Sequence, residues 1–429
     1  ADKVVGYDQY FGGSQDNGTF LSPRNQIADE TTTWSFEIGG DGFEAIAHHT
    51  DPNKLIGGSQ GNNFYRSTNG GASWNYAQYG LEGSDPFITR LSSPFQDPDV
   101  LYAVTSFGVM KSNDFGQSWQ AKQVEGNWSS SFWSGTDVEV SLANPRYIWA
   151  GSSMSTAGNI FLSKDWGETY ESVPNFSNLG RTSGIYSHPT EDSTAYVLFG
   201  MPGAAKVLQT KDLGETWEDL SGFTNSTDGK SLNGFPDVPV YSFLVMPHNK
   251  DIMWAGTEVG LIESTDGGTS WHLVESNLPY VTIWDLKLKD EGQIVIATHG
   301  RGVWTATIDD LKSYEPKPAI LPPFILSAYQ LDSEDSYVIS TNINIKSSYD
   351  SLVIKANNLQ RDVFQNVDKS DSTNFVFEVD DKGDYTIQAF GYKDGLEHPS
   401  NEYDIILNPT LQPRTCCLLY TSPSPRDLL

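Results

Sequence analysis

The chain has 429 residues, with 27 basic and 55 acidic side chains and a net charge of −28 at pH 7. A surface of this charge repels phosphate backbones and anionic membranes, so the composition argues against nucleic acid and acidic lipid as partners. The many aromatic residues exclude a disordered acidic protein, and no apolar run approaches the ~20 residues of a membrane span.

The first predicted strands lie in residues 9–38, around the turn sequence GGSQDNG. Short alternating runs of apolar and polar residues are typical of half-buried strands. We expect at least three strands here, with the innermost strand of this first unit missing from the chain.

A box of eight residues then recurs five times, with a hydroxyl, an acid or amide, a glycine and an aromatic residue at fixed offsets. A fixed spacing of about 50 residues is the sequence signature of a repeat architecture. The acid or amide positions of the box are Asn69, Asp114, Asp165, Asp212 and Asp266.

Each repeat is predicted to form four short strands, with the box in the turn between the third strand and the fourth. Repeated four-stranded antiparallel units of this length are typical of β-propeller blades. A segment without a box, residues 281–308, supplies three strands of a last unit. The sequence therefore predicts an all-β, seven-bladed β-propeller followed by a small β-sandwich. Because both end units lack a strand, we expect a segment upstream of residue 1 to close the ring.

The box itself is expected to be structural. Its acid can accept hydrogen bonds from its own turn, its hydroxyl can add another, and its glycine suits a positive φ. Its aromatic end can fill the wedge between neighbouring blades. The alternative is a ring of catalytic or calcium-binding acids, and we favour structure because each turn can satisfy its acid locally.

The pattern S-x-D-x-G-x-[ST]-W resembles the Asp box, or BNR repeat, of sialidases, xyloglucanase-type glycoside hydrolases and sortilin-type receptors. This resemblance covers residues 1–308. It implies the fold but not the function, because the box occurs in catalytic and non-catalytic propellers alike. A sialidase is disfavoured, because the arginines are scattered and the Arg-Ile-Pro signature is absent.

The C-terminal part divides into three segments. Residues 309–322 read as a Pro-containing linker, and residues 323–408 contain six or more strands, which suggests an immunoglobulin- or fibronectin III-like sandwich. The tail, residues 409–429, resembles translated vector or sequencing-adapter sequence, and we expect it to be disordered. It holds both cysteines, Cys416 and Cys417. We therefore predict no disulfide, no metal site and no cofactor.

Propeller topology separates two sets of turns. The box turns lie on one face, whereas the loops between second and third strands and between blades lie on the other, where propellers usually bind ligands. On that second face the candidate catalytic acids are Asp16 and Asp41, and the alternative role of each is to hold a turn. Candidate ligand-binding residues are Asp85, Trp128, Trp133, Glu258, His299 and Arg301. For Trp128 and Trp133 the alternative is packing under their own loop, and for His299 and Arg301 it is bonding to the neighbouring blade.

Flat aromatic faces suit sugar rings, and paired carboxylates suit glycosidic cleavage. The sequence favours an extracellular or cell-surface propeller that binds a polysaccharide or protein ligand on the face opposite the boxes. The alternative is a fragment of a xyloglucanase-type glycoside hydrolase. In that case the resemblance implies that Asp16 is one catalytic acid, and that the second acid lies in a propeller upstream of this chain.

Overall fold

The computed structural model describes residues 1–83, 86–124, 126, 128–154, 159–177, 179–289, 292–331, 336–369 and 374–407. The chain divides into two compact units, Ala1–Ala319 and Ile320–Leu429. Within the described residues no helix is long and apolar enough to cross a membrane. The candidate Asp85 and the tail that carries both cysteines lie outside the described residues.

The first unit is all-β, and its described residues form seven antiparallel sheets in chain order, six of four strands and a seventh of three. The strands of the first three sheets are β1 Asp2–Lys3, β2 Tyr10–Ser14, β3 Gly18–Leu21, β4 Ser35–Ile38, β5 Ala45–Ala47, β6 Leu55–Ser59, β7 Asn63–Ser67, β8 Asn75–Tyr76, β9 Leu91–Ser92, β10 Leu101–Val104, β11 Gly108–Ser112 and β12 Gln120–Gln123. The strands of the next three sheets are β13 Asp137–Val140, β14 Ile148–Ser152, β15 Asn159–Ser163, β16 Glu171–Ser172, β17 Thr182–Ser187, β18 Ala195–Phe199, β19 Val207–Thr210, β20 Glu218–Asp219, β21 Val240–Val245, β22 Met253–Thr257, β23 Gly260–Ser264 and β24 His272–Leu273. The seventh sheet contains β25 Ile283–Leu288, β26 Gln293–Thr298 and β27 Val303–Thr307.

One expectation about the ends of this array is corrected. The first sheet has its innermost strand, because β1 pairs with β2 through Asp2 opposite Phe11 and Lys3 opposite Tyr10. β1 consists of two charged residues, Asp2 and Lys3, and is too short to show an alternation of apolar and polar positions.

Six apolar clusters hold consecutive sheets together. In one of them Phe11 of the first sheet packs with Leu55 of the second, and the ring of Trp74 stacks on Phe11 at 5.4 Å. The first and seventh sheets meet through polar groups, since the Tyr10 hydroxyl lies 3.1 Å from Gln293 Oε1 and Lys289 Nζ lies 2.5 Å from Asp2 Oδ1.

The five boxes connect the third and fourth strands of the second to sixth sheets, and they share one hydrogen-bond pattern. In the second copy, Asp114 Oδ1 accepts the Ser118 N–H at 2.8 Å, and Ser112 Oγ accepts the Gly116 N–H at 2.8 Å. Gly116 has a φ of 78°, which a side chain would strain. Hydrogen bonds from Thr216, first its hydroxyl and then its N–H, lower the pKa of Asp212 in the equivalent turn.

The segment predicted as a linker mostly belongs to the first unit. A 3-10 helix, Asp309–Leu311, follows β27, and Leu311 is buried among the apolar residues of the sixth and seventh sheets. Residues 311–317 then form a strap that reaches the fifth and third sheets. The Tyr314 hydroxyl donates to the Pro189 carbonyl at 3.2 Å, and Gln96 Nε2 donates to the Lys317 carbonyl at 3.0 Å.

The second unit consists of two sheets around a common core. Strands β28 Phe324–Leu331, β29 Tyr337–Asn344 and β32 Asn374–Val379 form one sheet in the order β28-β29-β32. The other sheet contains β30 Tyr349–Ala356, β31 Leu359–Val367, β33 Gly383–Lys393, β34 Leu396–Pro399 and β35 Tyr403–Leu407. Alternate residues of both sheets, such as Ile339 and Leu352, are fully buried between them, as in a β-sandwich.

Candidate functional site

Each sheet is an antiparallel meander, and the chain passes from its outermost strand to the innermost strand of the next sheet. The innermost strands of the first unit therefore all run in the same direction. Their first residues therefore mark one face, which we call the loop face, and their last residues mark the other, the box face. Asp16, Asp41, Glu258, His299 and Arg301 all lie in turns or connections on the loop face.

Asp16 and Asp41 lie beside each other. Asp16 is exposed, has a φ of 64°, and donates its backbone N–H to Asp41 Oδ1 at 2.8 Å. The N–H of Asp41 in turn donates to Gln60 Oε1 at 2.8 Å. The two acids thus link the β2–β3 turn to the β6–β7 turn, which is the structural role that a turn acid can have.

Four aromatic rings next to these turns form a patch that we call the Trp133 platform. Phe87 is its centre and lies 5.3 Å from Phe43, 5.4 Å from Phe132 and 5.3 Å from Trp133, measured between ring centroids. Trp133 is 77% exposed. A Cβ on Gly61, the neighbour of Gln60, would lie 3.9 Å from the Phe132 ring, so the platform adjoins the two acids.

Trp128 lies in the same connection as Trp133, between β12 and β13, but makes different contacts. Its indole N–H donates to the Thr105 carbonyl at 3.0 Å, and its ring lies 5.3 Å from the ring of Phe161. It packs against the cluster between the third and fourth sheets. Trp133, in contrast, presents most of its surface to solvent.

The remaining candidates surround a second group of rings, Tyr241, Trp284 and His299, which we call the Trp284 platform. The rings of Tyr241 and Trp284 lie 4.3 Å apart, and Trp284 Nε1 donates to His299 Nδ1 at 3.1 Å. Trp284 is 44% exposed. Burial, and after it the negative charge of Glu258, raises the pKa of Tyr241, so its hydroxyl stays protonated. Arg301 is exposed, and its carbonyl accepts the indole N–H of Trp304 at 2.9 Å.

The space between the innermost strands is a charged channel with a cavity of about 150 Å³. Its lining includes the acids Asp2, Glu44, Asp137, Glu139 and Asp285 and the bases Arg90, Lys287 and Lys289. Sequence reasoning missed these residues and the rings of Phe43, Phe87, Tyr241 and Trp284. A signal was present, because TDVEV and WDLKLK alternate charged and apolar residues in strands that are innermost.

The pKa values of two channel acids are shifted in opposite directions. Burial disfavours ionisation of Asp2, but the Lys289 ammonium 2.5 Å away, together with Lys287 and His49, outweighs it, and the pKa of Asp2 falls to about 2. Burial raises the pKa of Glu139 to about 8, although Ser187 donates its hydroxyl to Glu139 Oε1 at 2.7 Å. Glu139 is therefore mostly protonated at neutral pH.

Asp137 lies two residues before Glu139 on β13, so its side chain faces the channel too. Burial raises the pKa of Asp137 to about 6, although the Arg90 guanidinium 3.9 Å away acts in the opposite direction. The strap covers the box-face end of the channel, since Tyr314 and Pro316 line a second cavity there together with Phe95 and Lys289.

No group of three or more potential metal-binding side chains occurs among the described residues. What the loop face can do chemically follows from its rings and polar groups. Two aromatic platforms offer flat apolar surfaces, and carboxylates, a phenol and an imidazole beside them offer hydrogen bonds.

No family model and no curated protein matches the sequence. Solved structures are similar in fold. One is the extracellular domain of BT3049 from B. thetaiotaomicron, a protein named as a hybrid two component system. It is 10% identical with a TM-score of 0.52, and the match covers 95% of this chain and 55% of that chain. A GH74 xyloglucanase from Xanthomonas campestris is 14% identical with a TM-score of 0.42, over 92% of this chain and 60% of that one. YCF48 from Cyanidioschyzon merolae is 13% identical with a TM-score of 0.45, over 71% of this chain and 97% of that one.

These neighbours are propeller-type proteins. This chain spans a little over half the length of the first two. At such low identity the likeness shows the fold alone. The seven consecutive antiparallel sheets, together with the likeness to the BT3049 domain at a TM-score of 0.52, show that the first unit has a β-propeller fold.

Proposed function

We propose that the first unit is a closed, seven-bladed Asp-box propeller. The seven consecutive sheets support this, as do polar contacts that join the last sheet to the first two. Lys289 binds Asp2, and Lys287 Nζ lies 2.5 Å from Glu44 Oε1. Closure would then depend on ion pairs and the strap, with no strand shared between the ends of the unit.

The propeller serves as an extracellular or cell-surface binding protein whose ligand is a glycan, with a protein ligand as the alternative. The observation that carries this proposal is Trp133. Its ring is 77% exposed, yet Phe87 and Phe132 hold it in place. Sugar rings stack on such a surface, and the neighbouring carboxylates of Asp16 and Asp41 can accept hydrogen bonds from hydroxyl groups. The sandwich unit, fibronectin III-like in this proposal, acts as a spacer or attachment module.

A glycan-array screen tests the proposal, with wild type, Trp133→Ala and Tyr76→Ala. Tyr76 is a matched control, because it is 72% exposed but lies on β8, the outermost strand of its sheet. We expect wild type and Tyr76→Ala to bind the same glycans and Trp133→Ala to lose at least tenfold in affinity. This corresponds to the ~1.4 kcal/mol or more that stacking on an aromatic side chain contributes. Equal binding by all three proteins would place the ligand elsewhere.

A second candidate function is glycoside hydrolysis, favoured by the direct contact between the β2–β3 turn at Asp16 and the carboxylate of Asp41. Glycosidases need two carboxyl groups about 5–10 Å apart. A hydrolysis assay on β-glucans with wild type, Asp16→Asn and Asp41→Asn separates the two functions. Hydrolysis that both substitutions abolish would establish the enzyme, whereas binding without hydrolysis would support the binding protein.

A further inference from the structure

The Trp284 platform has the features of a second binding surface. Trp284 is the second residue of the innermost strand of the seventh sheet, and Tyr241 is the second residue of that of the sixth, so both rings lie at the mouth of the channel on the loop face. Because Trp284 donates to His299 Nδ1, a neutral His299 ring carries its proton on Nε2 and can donate it to a ligand. Glu258 is exposed beside these rings and can accept. A flat ring with donors and acceptors at its edge matches a sugar.

The two platforms lie on opposite sides of the channel mouth. The Trp133 platform draws its rings from connections that lead into the second, third and fourth sheets, through Phe43, Phe87 and Trp133. The Trp284 platform belongs to the sixth and seventh sheets. In a ring of seven sheets these two positions are half a turn apart. A ligand that contacts both must therefore cross the mouth of the channel, and an oligosaccharide that ends before the second platform contacts only the first.

The overall charge of the chain selects against an anionic ligand. Glu44, Asp137 and Asp285 line the channel between the platforms, but Arg90, Lys287 and the N-terminal ammonium offset them in ion pairs. The chain as a whole still has a net charge of −28. A polymer that carries carboxylate or sulfate groups would be repelled, whereas an uncharged polymer would not.

We propose that the two platforms bind one extended, uncharged polysaccharide chain that crosses the channel mouth. This inference rests on the proposed glycan-binding function and adds to it the length and charge of the ligand. The two contacts act together, since binding at one platform raises the effective concentration of the chain at the other. Such linkage increases affinity by roughly 10²–10⁴ without a new contact.

The test compares a polymer with its own short oligosaccharide. Affinities are measured by titration calorimetry for hydroxyethylcellulose, dextran and mannan, and for the tetrasaccharide of each backbone. Carboxymethylcellulose serves as the anionic counterpart of the first polymer. The proteins are the full chain as wild type, Trp133→Ala, Trp284→Ala, the double variant and the control Tyr76→Ala. Circular dichroism and melting temperature verify that each variant is folded.

We expect at least one uncharged polymer to bind wild type and Tyr76→Ala at least 100-fold more tightly per chain than its tetrasaccharide. Either single tryptophan variant should reduce this ratio to within about tenfold of unity, and carboxymethylcellulose should not bind. If polymer binding depends on Trp133 but is unchanged in Trp284→Ala, the glycan-binding function stands and the bridging inference is overturned. If none of the uncharged polymers binds wild type, both are overturned. Equal affinity for carboxymethylcellulose and hydroxyethylcellulose would overturn the charge selection.

Discussion

The two faces of the first unit are built from the same strands but satisfy their turns in different ways. On the box face, the acid or amide and the first hydroxyl of each of the five box turns accept hydrogen bonds from residues of the same turn. Asp165 and Asp266, for example, each accept the N–H and the hydroxyl of the residue four positions later. The turns therefore have the same geometry whatever the neighbouring sheet provides.

On the loop face, several turns also rely on other sheets. The backbone N–H of Asp16 donates to Asp41, and the backbone N–H of Asp41 donates to Gln60. The backbone N–H of Phe87 donates to the Phe132 carbonyl at 2.6 Å. The box does not recur there, and large rings stay exposed. The difference teaches that a turn whose hydrogen bonds lie within it can recur with the same sequence from blade to blade. A turn whose hydrogen bonds reach other sheets can differ in sequence from one blade to the next. Variation in ligand contacts is expected on the second kind of face.

The largest expected effect is on the box face. Asp114→Ala removes the acceptor for the Ser118 N–H and for two hydroxyl groups. We expect the free energy of unfolding to fall by about 1.5–3 kcal/mol, the value of one hydrogen bond to a charged group, because water partly replaces the others. Urea denaturation of the full chain measures this.

Asp114→Asn is the matched control for this variant. Asn69 occupies the same position in the first box, where its Oδ1 accepts the Ser73 N–H at 2.9 Å and its amide donates to the Ser73 hydroxyl at 2.8 Å. The turn therefore tolerates the amide, and most of the stability should be kept. Equal losses in the alanine and asparagine variants would show that the hydrogen bonds are not the cause.

A smaller effect is expected in the channel between the two faces. Glu139 has an ordinary pKa of 4.5 when unfolded and about 8 when folded, so the folded chain binds more protons between these values. Its contribution to stability is complete below pH 4.5 and is lost as the pH rises through 8. Glu139→Gln keeps an acceptor for Ser187 and removes the titration. We expect the loss of stability between pH 5 and pH 9 to shrink by at least ~1.4 kcal/mol, equivalent to one pKa unit.

Calorimetric melting at both pH values checks this prediction. Glu139 belongs to the same channel wall as Asp137, whose pKa of about 6 adds a second loss at lower pH. That second loss should persist in the variant. An unchanged difference between pH 5 and pH 9 would contradict the assignment.

The smallest effect on stability is expected on the loop face. Trp133→Ala removes a ring that is 77% exposed and packs against the Phe87 and Phe132 rings of the platform, so the free energy of unfolding should change by less than about 0.5 kcal/mol. The same denaturation experiment measures it. A loss comparable to that of Asp114→Ala would mean that the platform supports the fold, and the contrast between the faces would fail.

Prediction from sequence was most successful where structure is local. The all-β character and the four-stranded repeats follow from alternation and from the boxes, because each box carries its own hydrogen-bond partners within eight residues. The two-residue strand β1 was missed because its pairing with Tyr10 and Phe11 comes from contact and not from any periodic pattern. The strap was taken for a linker because nothing in its composition shows that Leu311 is buried.

The sequence by itself determined the repeat, the turn that each box forms and the face on which variable loops must lie. Only the tertiary structure decided which side chains meet. It brought Phe43, Phe87 and Trp133 together from three connections, and it placed the charged side chains of β13 and β25 along the wall of one channel. The physical reason is the distance along the chain between the residues that interact. A turn hydrogen bond joins residues four apart in the chain. A ring contact or an ion pair across a channel joins residues far apart in the chain, which come together only when the whole chain folds.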